Sequence, residues 1–235
     1  MIKVNLTRLP EIDRETNEAY KQLRTNVMFC GDNIKTLMVT STVPNEGKSE
    51  VSYFLAHSIA ESKKRVLLLD GDIRKSMMAT RFVPDKKVHG LSHYLAGKDS
   101  LDDIICQTNI PDLYMVFAGF SAPNPSELLA GARFVPMLAA LKKVFDYVII
   151  DSPPVGSVTD ASIIGRHVDG GILVIGYDDV SYKLIAKAKN QLEMSGCHML
   201  GAVINQVEVG RGGYYQGYYG KYYGRSGDND AETNK

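Results

Sequence analysis

The chain has 235 residues, 44% hydrophobic and 23% charged, a composition that fits a globular domain and argues against a wholly disordered or membrane-embedded chain. Its 27 basic residues balance 27 acidic ones, and a formal net charge of zero argues against a nucleic-acid binder that relies on a strongly basic face. Cys30, Cys106 and Cys197 are scattered and lack metal-ligand spacing, which implies reduced thiols and a cytoplasmic setting, not a disulfide framework.

The first fourteen residues read as a loose, polar lead-in without the apolar core of a signal peptide. Residues 15–30 carry Ala19, Leu23 and Val27 at four-residue spacing, which predicts an amphipathic helix. Glu18, Lys21 and Arg24 recur on another face of it, a pattern that a merely solvated face also produces. An apolar run, Leu37 to Val39, then gives way to small hydroxyl residues, Pro44, and Gly47-Lys48-Ser49. Val51, Leu55, Ser58 and Ile59 at one-turn spacing predict a helix directly afterwards.

Downstream, residues 65–70 (RVLLLD) predict a buried strand, followed by Gly71, Asp72, Ile73 and Arg74. Residues 90–97 and 100–106 predict short helices, with Ser100 and Asp102 suited to a cap and first turn. Residues 113–118 predict a third strand. A rigid turn at Pro123 and Pro125 then opens a helix towards Phe145, which Gly131 and Pro136 are expected to break. Residues 147–151 (YVIID) predict a fourth strand, 159–167 a short helix, 171–176 a fifth strand, 180–195 a helix, and 199–205 a sixth strand. Apolar strands that alternate with helices imply an α/β fold, a mostly parallel sheet covered by helices on both faces. Ligands of such sheets bind at the carboxyl ends of the strands. The longest apolar runs are of strand length, well below the roughly 20 residues that a membrane helix needs.

A strand, a tight loop and a helix N-terminus around Gly-Lys-Ser make a phosphate cradle. Backbone N–H groups and the helix dipole face the anion there, Lys48 reaches the β- and γ-phosphates, and the Ser49 hydroxyl ligates Mg²⁺. The cofactor-binding residues expected on this ground are Asn45, Glu46, Gly47, Lys48, Ser49 and Glu50. The strict pattern asks for glycine five residues before Gly47, where Thr42 stands; Asn45 occupies a turn position that tolerates positive φ. Asp70, Asp72 and Asp151 end strands expected to flank the phosphate-loop strand. Each alone could be a loop anchor. Together beside Gly-Lys-Ser they point to Mg²⁺ binding and to a base for an attacking hydroxyl.

From Gly210 the composition changes: glycine recurs, and no aliphatic residue follows except Ala231. Such a segment cannot bury a core and is expected to be disordered in isolation. It holds Tyr214, Tyr215, Tyr218, Tyr219, Tyr222 and Tyr223, six of the chain's 13 tyrosines within ten residues. The expected organisation is therefore an N-terminal segment and helix (1–30), a P-loop domain (31–207) and a tyrosine-cluster tail (208–235).

This set of motifs resembles the bacterial tyrosine kinases of capsular and exopolysaccharide synthesis over nearly the whole chain. The resemblance rests on PxEGKS at residues 44–49, DxDxR at Asp70, Asp72 and Arg74, the aliphatic run and DxP at 148–153, PNPSELL at 123–129, and the terminal tyrosines. It implies a P-loop NTPase-like fold and an ATP- and Mg²⁺-dependent autokinase that phosphorylates its own tail tyrosines in trans within a homo-oligomer. Lys48, Asp70, Asp72 and Asp151 are then catalytic. Ser49, Asp70 and Asp151 hold the metal, directly or through water, and Asp72 serves the tyrosine hydroxyl as base or orienter. Glu18, Lys21 and Arg24 match the family's ExxRxxR assembly helix, with lysine for the first arginine, and Asn205 is an adenine contact by analogy with related P-loop ATPases. A Gram-positive type without its own membrane spans implies a membrane adaptor, a polysaccharide co-polymerase whose cytosolic tail activates the kinase. It also implies a cognate tyrosine phosphatase and a peripheral position at the inner face of the membrane.

Two positions depart from the family. Glu50 stands where threonine usually follows the P-loop serine, and Phe54 where asparagine is common; a carboxylate near the α-phosphate is expected to weaken ATP binding relative to Glu50→Thr. Two other readings compete. A partitioning-type P-loop ATPase would carry KGGxGK, but Val43, Pro44 and Asn45 stand in those places. A catalytically weak nucleotide-binding regulator of polysaccharide export would explain Glu50. No GxGxxG follows the first strand, which disfavours a dinucleotide enzyme. His89 and His93, at i and i+4, are taken as incidental, and no transition-metal site is assigned.

Overall fold

The computed structural model describes residues 1–177 and 180–207. In chain order the elements are β1 (Ile2–Lys3), α1 (Arg14–Phe29), β2 (Thr36–Ser41), α2 (Lys48–Glu61), β3 (Val66–Asp70), α3 (Met78–Phe82), α4 (Leu91–Leu95), α5 (Leu101–Ile104), β4 (Cys106–Gln107), β5 (Leu113–Val116), α6 (Pro125–Ala130), α7 (Phe134–Val144), β6 (Tyr147–Asp151), α8 (Asp160–Gly165), β7 (Gly170–Gly176), α9 (Tyr182–Met194) and β8 (Met199–Asn205). Met1–Asn205 form one compact unit.

The sheet order is β1-β4-β5-β3-β6-β2-β7-β8, and every neighbouring pair is parallel except β4 and β5. Burial explains why the central strands are unbroken apolar runs. On β2, Leu37 and Val39 pack with Tyr20 and Val27 of α1 and Val51, Leu55 and Ile59 of α2. Met38 joins the opposite core with Met137 and Leu141 of α7, Ile164 of α8 and Leu192 of α9. Both pleat faces are thus covered, as parallel strands require. Each fully buried leucine or isoleucine contributes roughly 1.5–3 kcal/mol, so these central strands form a rigid floor for the loops at their carboxyl ends.

Four expectations need correction. The N-terminal lead-in is not loose. Ile2 and Val4 donate their N–H groups to Ile105 and Gln107 at 2.9 Å, and Val4 and Leu6 are buried. The alternation Ile2, Val4, Leu6 carried that period-two signal. Cys106 lies in β4, not in the preceding helix, and the five residues of α3 are too few to carry a helical periodicity in the sequence. The break before Phe145 falls at Gly131, between α6 and α7. Pro136 is the third residue of α7, where an N–H has no intrahelical acceptor to lose. Finally, β6 flanks β2 directly, whereas β3 lies one strand further out.

Candidate active site

The loop from β2 to α2 makes its turn with left-handed residues, Asn45 at φ 72° and Gly47 at φ 84°. Gly47 is the N-cap of α2 and supplies no side-chain cap, so the first N–H groups of the helix remain available to an anion. Glycine is needed there for space as well as for φ. A Cβ at position 47 would lie 2.0 Å from Asn205 Nδ2. At the loop's base, where the strict motif has glycine, Thr42 is buried and its carbonyl accepts the Gly156 N–H at 3.1 Å.

Parallel register brings the acids together. Asp70 and Asp151 are register partners at the ends of β3 and β6, and Val39 of β2 pairs with Asp151 on its other side. From the first turn of α2, Lys48 Nζ reaches Asp151 Oδ1 at 3.8 Å, Asp72 Oδ2 at 4.0 Å and Ser49 Oγ at 3.2 Å. Ser52, one turn along α2, donates to the Lys48 carbonyl at 2.8 Å and contacts Asp151 Oδ1 at 3.3 Å. Asp70 accepts the Asp72 N–H at 3.2 Å and the Ser76 hydroxyl. Asp72 in turn accepts the Lys75 N–H at 3.0 Å.

One ammonium does not balance three buried acids. Burial, and then the neighbouring Asp151 charge, push the Asp70 carboxyl up to about 8 despite the Ser76 hydroxyl. Burial also raises Asp151, against the pull of Lys48 and the Ser49 hydroxyl. A set of carboxylate and hydroxyl oxygens with surplus negative charge fits a hard divalent cation such as Mg²⁺. Ser49, Asp151 and Asp70 are the residues that would hold it.

Other expected residues are placed differently. Glu46 is buried, and its carboxylate accepts the Val43 N–H at 2.7 Å and the Gly176 N–H at 3.0 Å. Asn205 donates its side-chain amide to the Glu46 carbonyl at 3.1 Å, so it packs on the phosphate loop itself. The Glu50 carboxylate points to Arg81 of α3 at 3.4 Å, half-exposed. Glu18 pairs with Lys21 at 2.7 Å within α1, and Arg24 donates to the Ser58 carbonyl of α2 at 2.7 Å. Tyr214, Tyr215, Tyr218, Tyr219, Tyr222 and Tyr223 lie outside the described residues, as does the 208–235 segment.

Sequence reasoning overlooked a second polar centre beside the site. Arg74 donates to the buried Asp160 carboxylate at 2.6 and 3.1 Å and to Ser126 at 2.8 Å, and Ser126 donates to Asp160 at 2.6 Å. The arginine of DxDxR and the serine of PNPSELL therefore meet at Asp160, which binds the β3–α3 loop to α6 and α8. The two motifs were visible in the sequence, but Asp160 had no partner there. His89 and His93 stack with ring centroids 4.2 Å apart, and His89 Nδ1 pairs with Asp99 at 2.7 Å. One ligand atom from each of His89, His93 and Asp99 lies within 4.8 Å of the others.

Comparison with known proteins bears on this geometry. The AAA domain family model matches residues 35–175. The chain is 42% identical over 208 residues to the tyrosine-protein kinase CpsD of Streptococcus agalactiae serotype III (strain NEM316), covering 86% of this chain and 90% of that relative. It is 40% identical over 199 residues to the Streptococcus pneumoniae tyrosine-protein kinase CpsD, covering 85% and 88%. Among solved structures, the kinase domain of the Escherichia coli tyrosine kinase ETK superposes with a TM-score of 0.77 at 34% identity, covering 83% of this chain and 79% of that one.

Proposed function

The chain belongs to the bacterial tyrosine-protein kinase family, and on that premise we infer that it transfers the γ-phosphoryl group of ATP to tyrosine hydroxyls in capsular or exopolysaccharide synthesis. The observation that carries this reading is Lys48 at the first turn of α2, within 4.0 Å of Asp72 and Asp151, beside a carboxyl at Asp70 pushed up to about 8.

The assignments to individual residues are our own. The loop amides and Lys48 bind the phosphates of ATP. Ser49, Asp70 and Asp151 would hold Mg²⁺, which would supply positive charge to neutralise the phosphate oxygens. Asp72, less buried than Asp70 and Asp151, orients the tyrosine hydroxyl and accepts its proton. The tyrosine oxygen bonds to the γ-phosphorus as the bond to the β–γ bridging oxygen breaks, and Lys48 stabilises the departing charge. Ser52 holds Asp151, and the Arg74–Asp160–Ser126 centre fixes the loop that carries Asp72.

The tail tyrosines are the proposed acceptors, phosphorylated in trans within a homo-oligomer assembled through Glu18, Lys21 and Arg24. No helix among the described residues is long and apolar enough to cross a membrane. We therefore assign recruitment to the inner membrane face, and activation, to a membrane adaptor's cytosolic tail, and reversal to a cognate tyrosine phosphatase. Purified protein with ATP and Mg²⁺, with and without the adaptor segment, should gain phosphotyrosine in the tail, and Lys48→Met should gain it about 10²–10³-fold more slowly. Nucleotide binding without any phosphotyrosine would overturn the autokinase reading.

A further inference from the structure

Glu46 is an acid inside a loop built to receive an anion, and the chemistry above gives it no part. Its side chain is 1% exposed. Each carboxylate oxygen takes a different backbone amide. Oε2 accepts from Val43, three residues earlier in the same loop, at 2.7 Å, and Oε1 accepts from Gly176, the last residue of β7, at 3.0 Å. The Glu46 carbonyl accepts from Asn205, the last residue of β8, at 3.1 Å. Through one residue the loop is therefore fastened to the ends of two strands.

The backbone on either side explains why such fastening matters. Asn45 and Gly47 both adopt positive φ, so Glu46 sits at the crest of a sharp turn. A loop that directs several N–H groups at one point is electrostatically unfavourable until an anion arrives. A carboxylate that takes one amide at the start of the loop and one at the end of β7 holds the turn without occupying the N–H groups of Gly47, Lys48 and Ser49. We propose that Glu46 is a positioning residue that keeps the phosphate loop in its nucleotide-accepting shape before nucleotide binds. It does so by bridging Val43 to Gly176 and presenting its carbonyl to Asn205. This is preorganisation: the ordering cost is met in the fold, so it is not subtracted from binding.

The inference rests on the ATP-dependent reading of the site. Hydrogen bonds to a charged group are the strong ones, so losing one should weaken nucleotide binding about tenfold. Glu46→Gln keeps the shape but offers one acceptor oxygen to two N–H donors. Glu46→Asp keeps the charge but is one methylene too short to reach both. The full chain and both variants are titrated with Mg·ADP and assayed for phosphotyrosine formation across ATP concentrations. Both variants should show dissociation constant and KM raised about tenfold, with the loss falling on KM and not on kcat. Equal loss in Gln and Asp identifies the bridge; full rescue by Asp would reduce the role to charge and overturn the proposal.

Hydrogen exchange on the nucleotide-free wild type needs no variant and covers the case in which the variants do not fold. The Val43 and Gly176 amides should exchange as slowly as those of β2, and fast exchange would overturn the proposal. If the wild type fails to bind Mg·ADP, the kinase reading fails. If the wild type binds and both variants bind as tightly, only the role of Glu46 fails.

Discussion

At the amino end of β2, Asp169 accepts the amides of Lys35 and Thr36, the Thr36 hydroxyl and the Lys142 ammonium, all between 2.7 and 3.0 Å. At the opposite end of the sheet, Asp70 and Asp151 have between them the hydroxyls of Ser49, Ser52 and Ser76, one amide and a lysine that stands 3.8 Å off. Burial works to raise all three carboxyls. At the partly buried Asp169 the Lys142 ammonium and the two amides overcome it and hold the group below the usual range; Asp70 is fully buried beside Asp151 with one amide and one hydroxyl, and the group rises to about 8. The first arrangement stabilises the fold. The second costs the nucleotide-free fold stability towards pH 8 and leaves carboxyls whose protons a cation would displace. A partly buried acid with a full set of donors reads as structure, and a fully buried one short of them reads as a site.

Several substitutions test this contrast. The largest effect belongs to Lys48→Met, which leaves the acids without their ammonium and should lower tyrosine phosphorylation by about 10²–10³-fold, the scale of losing one preorganised charge-stabilising group; residual activity is read from the phosphotyrosine rate. Asp169→Asn should destabilise by about 2–3 kcal/mol, because a neutral amide meets an ammonium and two backbone donors; urea midpoints measure it. Asp70→Asn should raise ligand-free stability by about 1 kcal/mol at pH 8, since it removes a charge that burial disfavours, while phosphorylation falls by less than in Lys48→Met.

The same pair sets the pH dependence of the ligand-free fold. Asp169, lowered in the folded state, contributes stability that is present above the unfolded value near 3.8 and lost as pH falls through its folded value. Asp70, raised, keeps a proton that the unfolded chain gives up, so stability declines from about pH 4 towards pH 8. Urea midpoints from pH 3 to 9 should show both arms, and Asp70→Asn should flatten only the alkaline one. The smallest change is expected of Glu50→Thr. Because the Glu50 carboxylate is half-exposed and faces Arg81, nucleotide affinity should shift by no more than about twofold, as Mg·ADP titration would show.

The contrast also explains what the sequence could reveal. Asn45, Gly47, Lys48, Asp70, Asp72 and Asp151 were legible because a parallel sheet delivers the ends of its strands to one edge, and apolar runs ending in an acid mark those ends. Local pattern likewise foretold the strands and long helices at the centre. The partners of Glu46, Glu50 and Arg74 were not legible. Gly176, Arg81 and Asp160 lie 130, 31 and 86 residues away, and only the fold brings them near. Asp169 was overlooked for the same reason, since its donors Lys35 and Thr36 belong to another strand end. At Glu46 and Glu50, loop position says where the backbone goes, not which way the side chain turns.

The most direct test is the urea midpoint of Asp70→Asn against wild type at pH 8 without nucleotide. The expected result is a higher midpoint for the variant, opposite in sign to Asp169→Asn. A midpoint lowered as far as that of Asp169→Asn would contradict the contrast, for it would make Asp70 a structural anchor and leave the carboxyl edge without the surplus charge on which the site depends.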